Sequence, residues 1–150
     1  VHILFVDAGN YCRSPAAEAV ARALSRHAGL SEQPTFGSAG LKDKHAGDTA
    51  DPRTIDACAD RGYSLGDFRC REITPQDFDK AQLILAMDRE NQAALEARRP
   101  AGNTTPIRLF LGEAEVPDPY FGETDGFALM MDQIEAGART LLDELARRSV

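Results

Sequence analysis

Apolar positions along the chain change their period several times, from nearly unbroken runs to a spacing of three and four. Val1-His2-Ile3-Leu4-Phe5-Val6 is the first such run, the pattern of a strand buried on both faces. It stops at Asp7-Ala8-Gly9-Asn10. Ser14-Pro15 then opens a helix, with Ser14 as the capping candidate and Pro15 in the first turn. Ala16, Ala17, Val20 and Leu24 share one helical face, which fades at His27-Ala28-Gly29. Pro34 to Gly40 reads as a second, weaker strand, and Leu41 to Ala50 as a polar loop. Asp51-Pro52 starts a helix that carries Ile55, Cys58 and Ala59 inward and stops at Gly62. Thr74-Pro75-Gln76-Asp77 predicts a capping box on a short helix. Leu83 to Met87 is the third strand, followed by a helix over 89–98, and Ile107 to Leu111 is the fourth. The last helix has the clearest stripe: Phe127, Met131, Ile134, Ala138, Leu141 and Leu145, with Met130 and Met131 as core filler. Strands alternating with helices, without repeat or linker, predict one α/β domain over 1–150. Its core would be a doubly wound, four-stranded parallel sheet flanked by helices.

Composition narrows the functions this domain can carry. Its 150 residues hold 17 Lys and Arg against 24 Asp and Glu, a formal charge of −7. That balance argues against a nucleic-acid or basic membrane-surface protein. Phosphorylated substrates stay open, because anion capture is local. No apolar stretch approaches the roughly 20 residues that cross a bilayer. Val1 enters a strand directly, with no signal peptide in view, which points to a trimmed initiator Met. Three cysteines are too few and too odd in number for a disulfide framework, so a reducing, cytoplasmic setting is expected. A monomer is the expected assembly.

In parallel α/β sheets, ligands sit beyond the carboxyl ends of strands. The loop after the first strand, Asp7-Ala8-Gly9-Asn10-Tyr11-Cys12-Arg13-Ser14-Pro15, is therefore the leading candidate. Gly9 and Asn10 tolerate the backbone angles that turn successive N–H groups into one concavity. The following helix aims its positive end at the same point, and Arg13 adds a planar fork for two oxygens. These features describe a cradle for a tetrahedral dianion. The bland alternative is an ordinary strand-to-helix turn with a surface Arg.

The stretch Val6 to Pro15 resembles the signature of the low molecular weight protein-tyrosine phosphatases, Val-Cys-x-Gly-Asn-x-Cys-Arg-Ser-Pro, at every specified place except position 7. Gly37-Ser38-Ala39-Gly40, Asp51-Pro52-Arg53, Ile84-Leu85-Ala86-Met87-Asp88 and Val116-Pro117-Asp118-Pro119-Tyr120 extend the resemblance over the whole domain. It implies a flavodoxin-like topology and hydrolysis of phosphotyrosine in proteins, or of small aryl phosphates, to inorganic phosphate. A cysteine thiolate forms a phosphocysteine, an aspartic acid protonates the leaving phenol, and water releases phosphate; no metal or other cofactor is implied. Carried onto this chain, Arg13 and the amides of Ala8, Gly9, Asn10, Tyr11, Cys12 and Arg13 hold the phosphoryl oxygens. Asn10 shapes the loop with Ser38 in support, Ser14 donates to the nucleophile, and Asp118 is the general acid. Lys44, His45 and Tyr120 wall the slot for the phenyl ring.

The nucleophile's place holds Asp7. Cys12 cannot replace it in register, because six residues after Cys12 stands Glu18 rather than Arg. The loop N–H groups and Arg13 would lower the Asp7 pKa and keep it charged. Repulsion of a bound phosphate at about 4 Å and an effective dielectric near 20 then costs about 4 kcal/mol, roughly a thousandfold in affinity. Near-inactivity is the expectation, from an engineered change or in a natural pseudophosphatase that binds phosphoproteins or regulates a partner. An aspartyl-phosphate enzyme is disfavoured, because Gly9 stands where a second Asp would help hold Mg²⁺. Two further expectations concern the surroundings. Phe68 occupies the place where the family often has a His that supports the loop Asn, and Arg71 either orients that loop or is solvated. Cys70 reads as a surface thiol and Cys58 as a core residue. Neither is placed for the thiol relay of the related arsenate reductases.

Overall fold

The computed structural model describes residues 1–30, 33–120, 122 and 124–148. Strand β1 (His2–Asp7) is followed by helix α1 (Arg13–Ala28), strand β2 (Thr35–Gly40), and helices α2 (Pro52–Ala59) and α3 (Pro75–Lys80). Strand β3 (Leu83–Ala86), helix α4 (Arg89–Arg98), strand β4 (Ile107–Leu109) and helix α5 (Thr124–Arg148) complete the order. The sheet runs β2-β1-β3-β4, with every pairing parallel. The chain thus leaves β1 for β2 on one side and reaches β3 on the other. That reversal opens a crevice at the carboxyl end of β1, where the 7–13 loop lies. None of the described helices is long and apolar enough to cross a membrane.

Alternation along β1 divides the core into two layers. Ile3 and Phe5 pack with α1 and α5, whereas Leu4 and Val6 pack with Phe78 and Leu95 on the opposite face. Phe5 meets Phe110 edge-on at 5.4 Å between ring centroids and stacks on Phe36. The full stripe from Phe127 to Leu145 on α5 is buried, as its spacing predicts.

Three expectations are corrected. Helix α1 begins at Arg13, and Ser14 does not cap it. The Ser14 N–H, one of the donors that a helix start leaves unpaired, instead reaches the carboxylate of Asp7 at 2.9 Å. Asp7 is therefore a cap supplied from the preceding strand, and its negative charge sits at the positive end of the helix. On α2, Ile55 and Ala59 face solvent, while Thr54 and Cys58, spaced by four, form the buried row with Ala57 half-buried. Strand β4 ends at Leu109, because the ladder closes with Phe110 N–H donating to the Ala86 carbonyl and the chain then turns.

At the end of β2, a Cβ on Gly40 would lie 2.7 Å from both the Asn10 nitrogen and the Gly9 carbonyl carbon. These are backbone atoms that no rotamer change can move. Gly40→Ala should therefore displace the 7–13 loop and destabilise the domain by about 1–3 kcal/mol. A urea midpoint unchanged from the parent would contradict this close approach.

Candidate active site

Asp7 closes β1 with its side chain almost wholly buried, at 2% exposure. One carboxylate oxygen accepts the Asn10 N–H at 2.6 Å, the other accepts the Ser14 N–H at 2.9 Å, and the Ser14 hydroxyl also donates to the group. Burial pushes the Asp7 carboxyl above its ordinary range; Arg13 and these donors pull it back only in part. This reverses the expected lowering. The guanidinium of Arg13 does not pair with Asp7, so desolvation outweighs the favourable contacts.

Asn10 has φ of 57°, the left-handed region that Asn tolerates better than most residues. Its amide donates to Ser14 Oγ at 2.9 Å and Ser38 Oγ at 3.0 Å, and its oxygen accepts the Arg71 N–H at 2.9 Å. Phe68 is not among these partners. The Ser38 hydroxyl in turn donates to Glu18 at 2.7 Å, and Glu18 pairs with Arg22. Burial raises the Glu18 pKa, which makes its hydrogen bond and ion pair necessary to hold its charge. Arg71 makes a two-pronged contact with Asp77 while its backbone holds the loop, so it orients rather than floats in solvent.

The 41–51 segment is stitched to the same loop. Leu41 and Lys42 donate to the Asp7 and Ala8 carbonyls at 3.0 and 2.9 Å, and Asp51 donates to the Tyr11 carbonyl at 3.0 Å. Cys12 is buried, with its sulfur 3.7 Å from Asp51 Oδ2. Burial pushes its thiol up to about 12, that of Cys58 to about 12 and that of Cys70 to about 11. None is a ready thiolate. Cys70 is not the surface thiol expected; Gly47 N–H donates to its carbonyl, its own N–H donates to the Asp48 carbonyl, and its side chain is buried beneath that turn.

Arg13 is also 2% exposed. Nη1 donates to Asp88 Oδ2 at 2.7 Å and to the Val116 carbonyl at 2.9 Å, and Nη2 stands 3.6 Å from Asp118 Oδ2. Its Nε is buried with no hydrogen-bond partner among the described residues. An unpaired donor on a charged group is costly to bury, and an oxyanion in the loop would satisfy it. Asp118 projects from the loop after β4 with its side chain 40% exposed, and it accepts the Tyr120 N–H at 3.0 Å.

Between these walls is a cavity of about 160 Å³ lined by Asp7, Tyr11, Arg13, His45, Asp118 and Tyr120, with Lys42 and Lys44 at its edge. Tyr11 and His45 stack face to face at 3.7 Å, and Tyr120 meets Tyr11 edge-on at 5.8 Å. Lys44 Nζ lies 5.4 Å from the centroid of the Tyr120 ring. Of the residues expected at the site, Asp7, Ala8, Gly9, Tyr11, Cys12, Arg13, Lys44, His45, Asp118 and Tyr120 line this one crevice, whereas Asn10, Ser14 and Ser38 are buried behind the loop as supports. Sequence reasoning missed Tyr11 as an aromatic wall, Lys42 as a lining residue, Asp88 and the Val116 carbonyl as anchors for Arg13, and Glu18 behind Ser38. Asp88 carried a usable signal: an acid two residues past the carboxyl end of a strand adjacent to β1. Glu18 carried another, a carboxylate within the small apolar face of α1.

Comparison with known proteins agrees with this geometry. The family model "Low molecular weight phosphotyrosine protein phosphatase" matches residues 2–150. A low molecular weight protein-tyrosine-phosphatase of Streptomyces coelicolor is 38% identical over 149 residues, covering 93% of this chain and 90% of its own. Crystal structures of a protein tyrosine phosphatase from Entamoeba histolytica and of a low molecular weight phosphotyrosine phosphatase from Vibrio cholerae each superpose with a TM-score of 0.92 at 34% identity. In both, the match covers 100% of this chain and 99% of theirs. A crevice built at the end of β1 and likenesses that run the length of the chain lead to one assignment: the protein belongs to the low molecular weight phosphotyrosine protein phosphatase family.

Proposed function

We propose that this chain receives phosphotyrosine, in a protein or as a small aryl phosphate, in the slot between Tyr120 and His45, and that Asp7 leaves it almost without hydrolytic turnover. In this reading Arg13 and the amides of Ala8, Gly9, Tyr11, Cys12 and Arg13 bind the phosphoryl oxygens, the Asn10 N–H expected among them being taken by Asp7, and Lys44 borders the ring. Asp118 stands ready to protonate the departing phenol and later to activate water, so that inorganic phosphate leaves. Asn10, Ser14 and Ser38 hold the loop in shape. The observation that carries the proposal is the Asp7 carboxylate itself. It lies at the floor of the cradle and accepts the Asn10 and Ser14 N–H groups. A carboxylate engaged in this way is a weak nucleophile toward phosphorus, and its charge faces the incoming phosphate.

A second reading, a phosphoprotein-binding module without catalysis, is favoured by one feature: the buried, unpaired Nε of Arg13, which an oxyanion could satisfy without any chemistry. The test is p-nitrophenyl phosphate turnover by the chain as it stands and after Asp7→Cys, alongside the rise in melting temperature with inorganic phosphate. Silence before the substitution and activity after it support the first reading. Robust metal-independent turnover by the unaltered chain overturns it. A phosphate-dependent melting shift in a chain whose Asp7→Cys variant stays silent supports the second.

A further inference from the structure

We propose that the Asp7 floor makes this cradle selective for tetrahedral oxyanions that carry their own proton. Dihydrogen phosphate and phosphomonoester monoanions would be taken, with the ligand P–OH donating to the Asp7 carboxylate, and sulfate and sulfate esters would be refused. The inference rests on the reading of the 7–13 loop as a phosphate cradle and specifies which oxyanion that cradle accepts.

A carboxylate offers about four lone-pair sites. At Asp7 three are taken, by the Asn10 N–H, the Ser14 N–H and the Ser14 hydroxyl. Asp7 also lines the cavity, which leaves its remaining acceptor position for a ligand. An oxyanion lowered onto the loop amides meets donors on its sides and an acceptor beneath. A fully ionised anion sets oxygen lone pairs against that acceptor, whereas one bearing a proton turns the contact into a charge-assisted hydrogen bond.

Charge points the same way. The cavity and the groups that anchor it bring Asp7, Asp88 and Asp118 together with Arg13, Lys42 and Lys44, three formal charges of each sign. His45 lines one wall in contact with Tyr11, and the thiols of Cys12 and Cys70 flank Asp7 as neutral groups. With no surplus positive charge, a dianion is poorly compensated and a monoanion less so.

Calorimetric titration of the intact chain with inorganic phosphate, sulfate and methyl sulfate tests the inference at about pH 6, where phosphate carries a proton and the other two do not. Methyl sulfate separates proton from charge, being a monoanion with no donor. Phosphate should bind about ten- to a hundredfold more tightly than either, the value of one hydrogen bond to a charged group. In Asp7→Asn, whose amide donates to any oxyanion, the preference should collapse; Asp7→Ser serves as a second variant if the first folds poorly. Equal affinity for the three anions in the intact chain, or a preference unchanged in both variants, overturns the inference. If the variants bind all three anions and the intact chain binds none, the selectivity proposal fails while the cradle reading stands. If no form binds any oxyanion, the cradle reading fails, and the selectivity with it.

Discussion

Asp7→Cys is expected to raise p-nitrophenyl phosphate turnover by about a millionfold, the scale of loss when a hydrolase is deprived of its nucleophile. The site supports so large a recovery because little else is out of place. Arg13 is anchored by Asp88 and the Val116 carbonyl, the left-handed Asn10 is held by Ser14, Ser38 and Arg71, and Asp118 faces the cradle across the cavity. The two backbone donors that hold the Asp7 carboxylate would face a sulfur in its place, at the start of a helix. N–H groups and a helix N-terminus are the conditions that lower a thiol pKa and generate thiolate near neutral pH. The substitution also removes a carboxylate from the phosphate's path, so KM should fall as kcat rises. Cys12 cannot account for the recovered activity. Its buried thiol, pushed up to about 12, is held against Asp51. A Cys12→Ser change in the recovered enzyme should leave a nucleophile-dependent burst intact.

The second large effect concerns Asp118. In the Asp7→Cys background, Asp118→Asn should lower kcat on phenyl phosphate by about a hundred- to ten-thousandfold, the range for a positioned general acid. The loss on p-nitrophenyl phosphate should be much smaller, because p-nitrophenolate departs with little need of a proton. That contrast separates proton delivery from positioning of Arg13, since Asp118 also stands 3.6 Å from its guanidinium. Equal losses on the two substrates would assign Asp118 to holding Arg13. Arg13 keeps its 2.7 Å contact with Asp88 in either case, so the variant should fold and retain its phosphate site.

Much of this site could be read from the chain before any coordinates, for reasons that differ by residue. The 7–15 loop is contiguous, and strand, Gly, Asn, Arg and helix start follow one another within a single turn of structure. Local chemistry therefore shows there in linear order. The α5 stripe was equally plain, because several turns of periodic apolar residues leave one face to bury. The errors fell where a partner distant in sequence decides the outcome. Ser14 has the makings of a cap, but the capping group came from Asp7 across the loop, and the hydroxyl of Ser14 was taken up by Asn10 and Asp7. The short helix α2 offered too few turns for its apolar residues to fix a face, and packing on α1 and α5 selected Thr54 and Cys58. The Asp7 pKa failed for the same reason. Its local donors were foreseeable, but its complete burial and the diversion of Arg13 to Asp88 and Val116 were not. Glu18 could be seen in the chain, but only the fold puts Ser38 beside it and links both to Asn10.

The most direct test of the account is a crystal structure of the Asp7→Cys variant grown with vanadate. It should show vanadium bonded to the new sulfur at the end of β1, its oxygens on the amides from Ala8 to Arg13 and on the now-satisfied Nε of Arg13, and Asp118 facing the apical oxygen. Vanadate bound away from that loop, or a loop whose amides point to solvent with Arg13 turned out of the cavity, would contradict it.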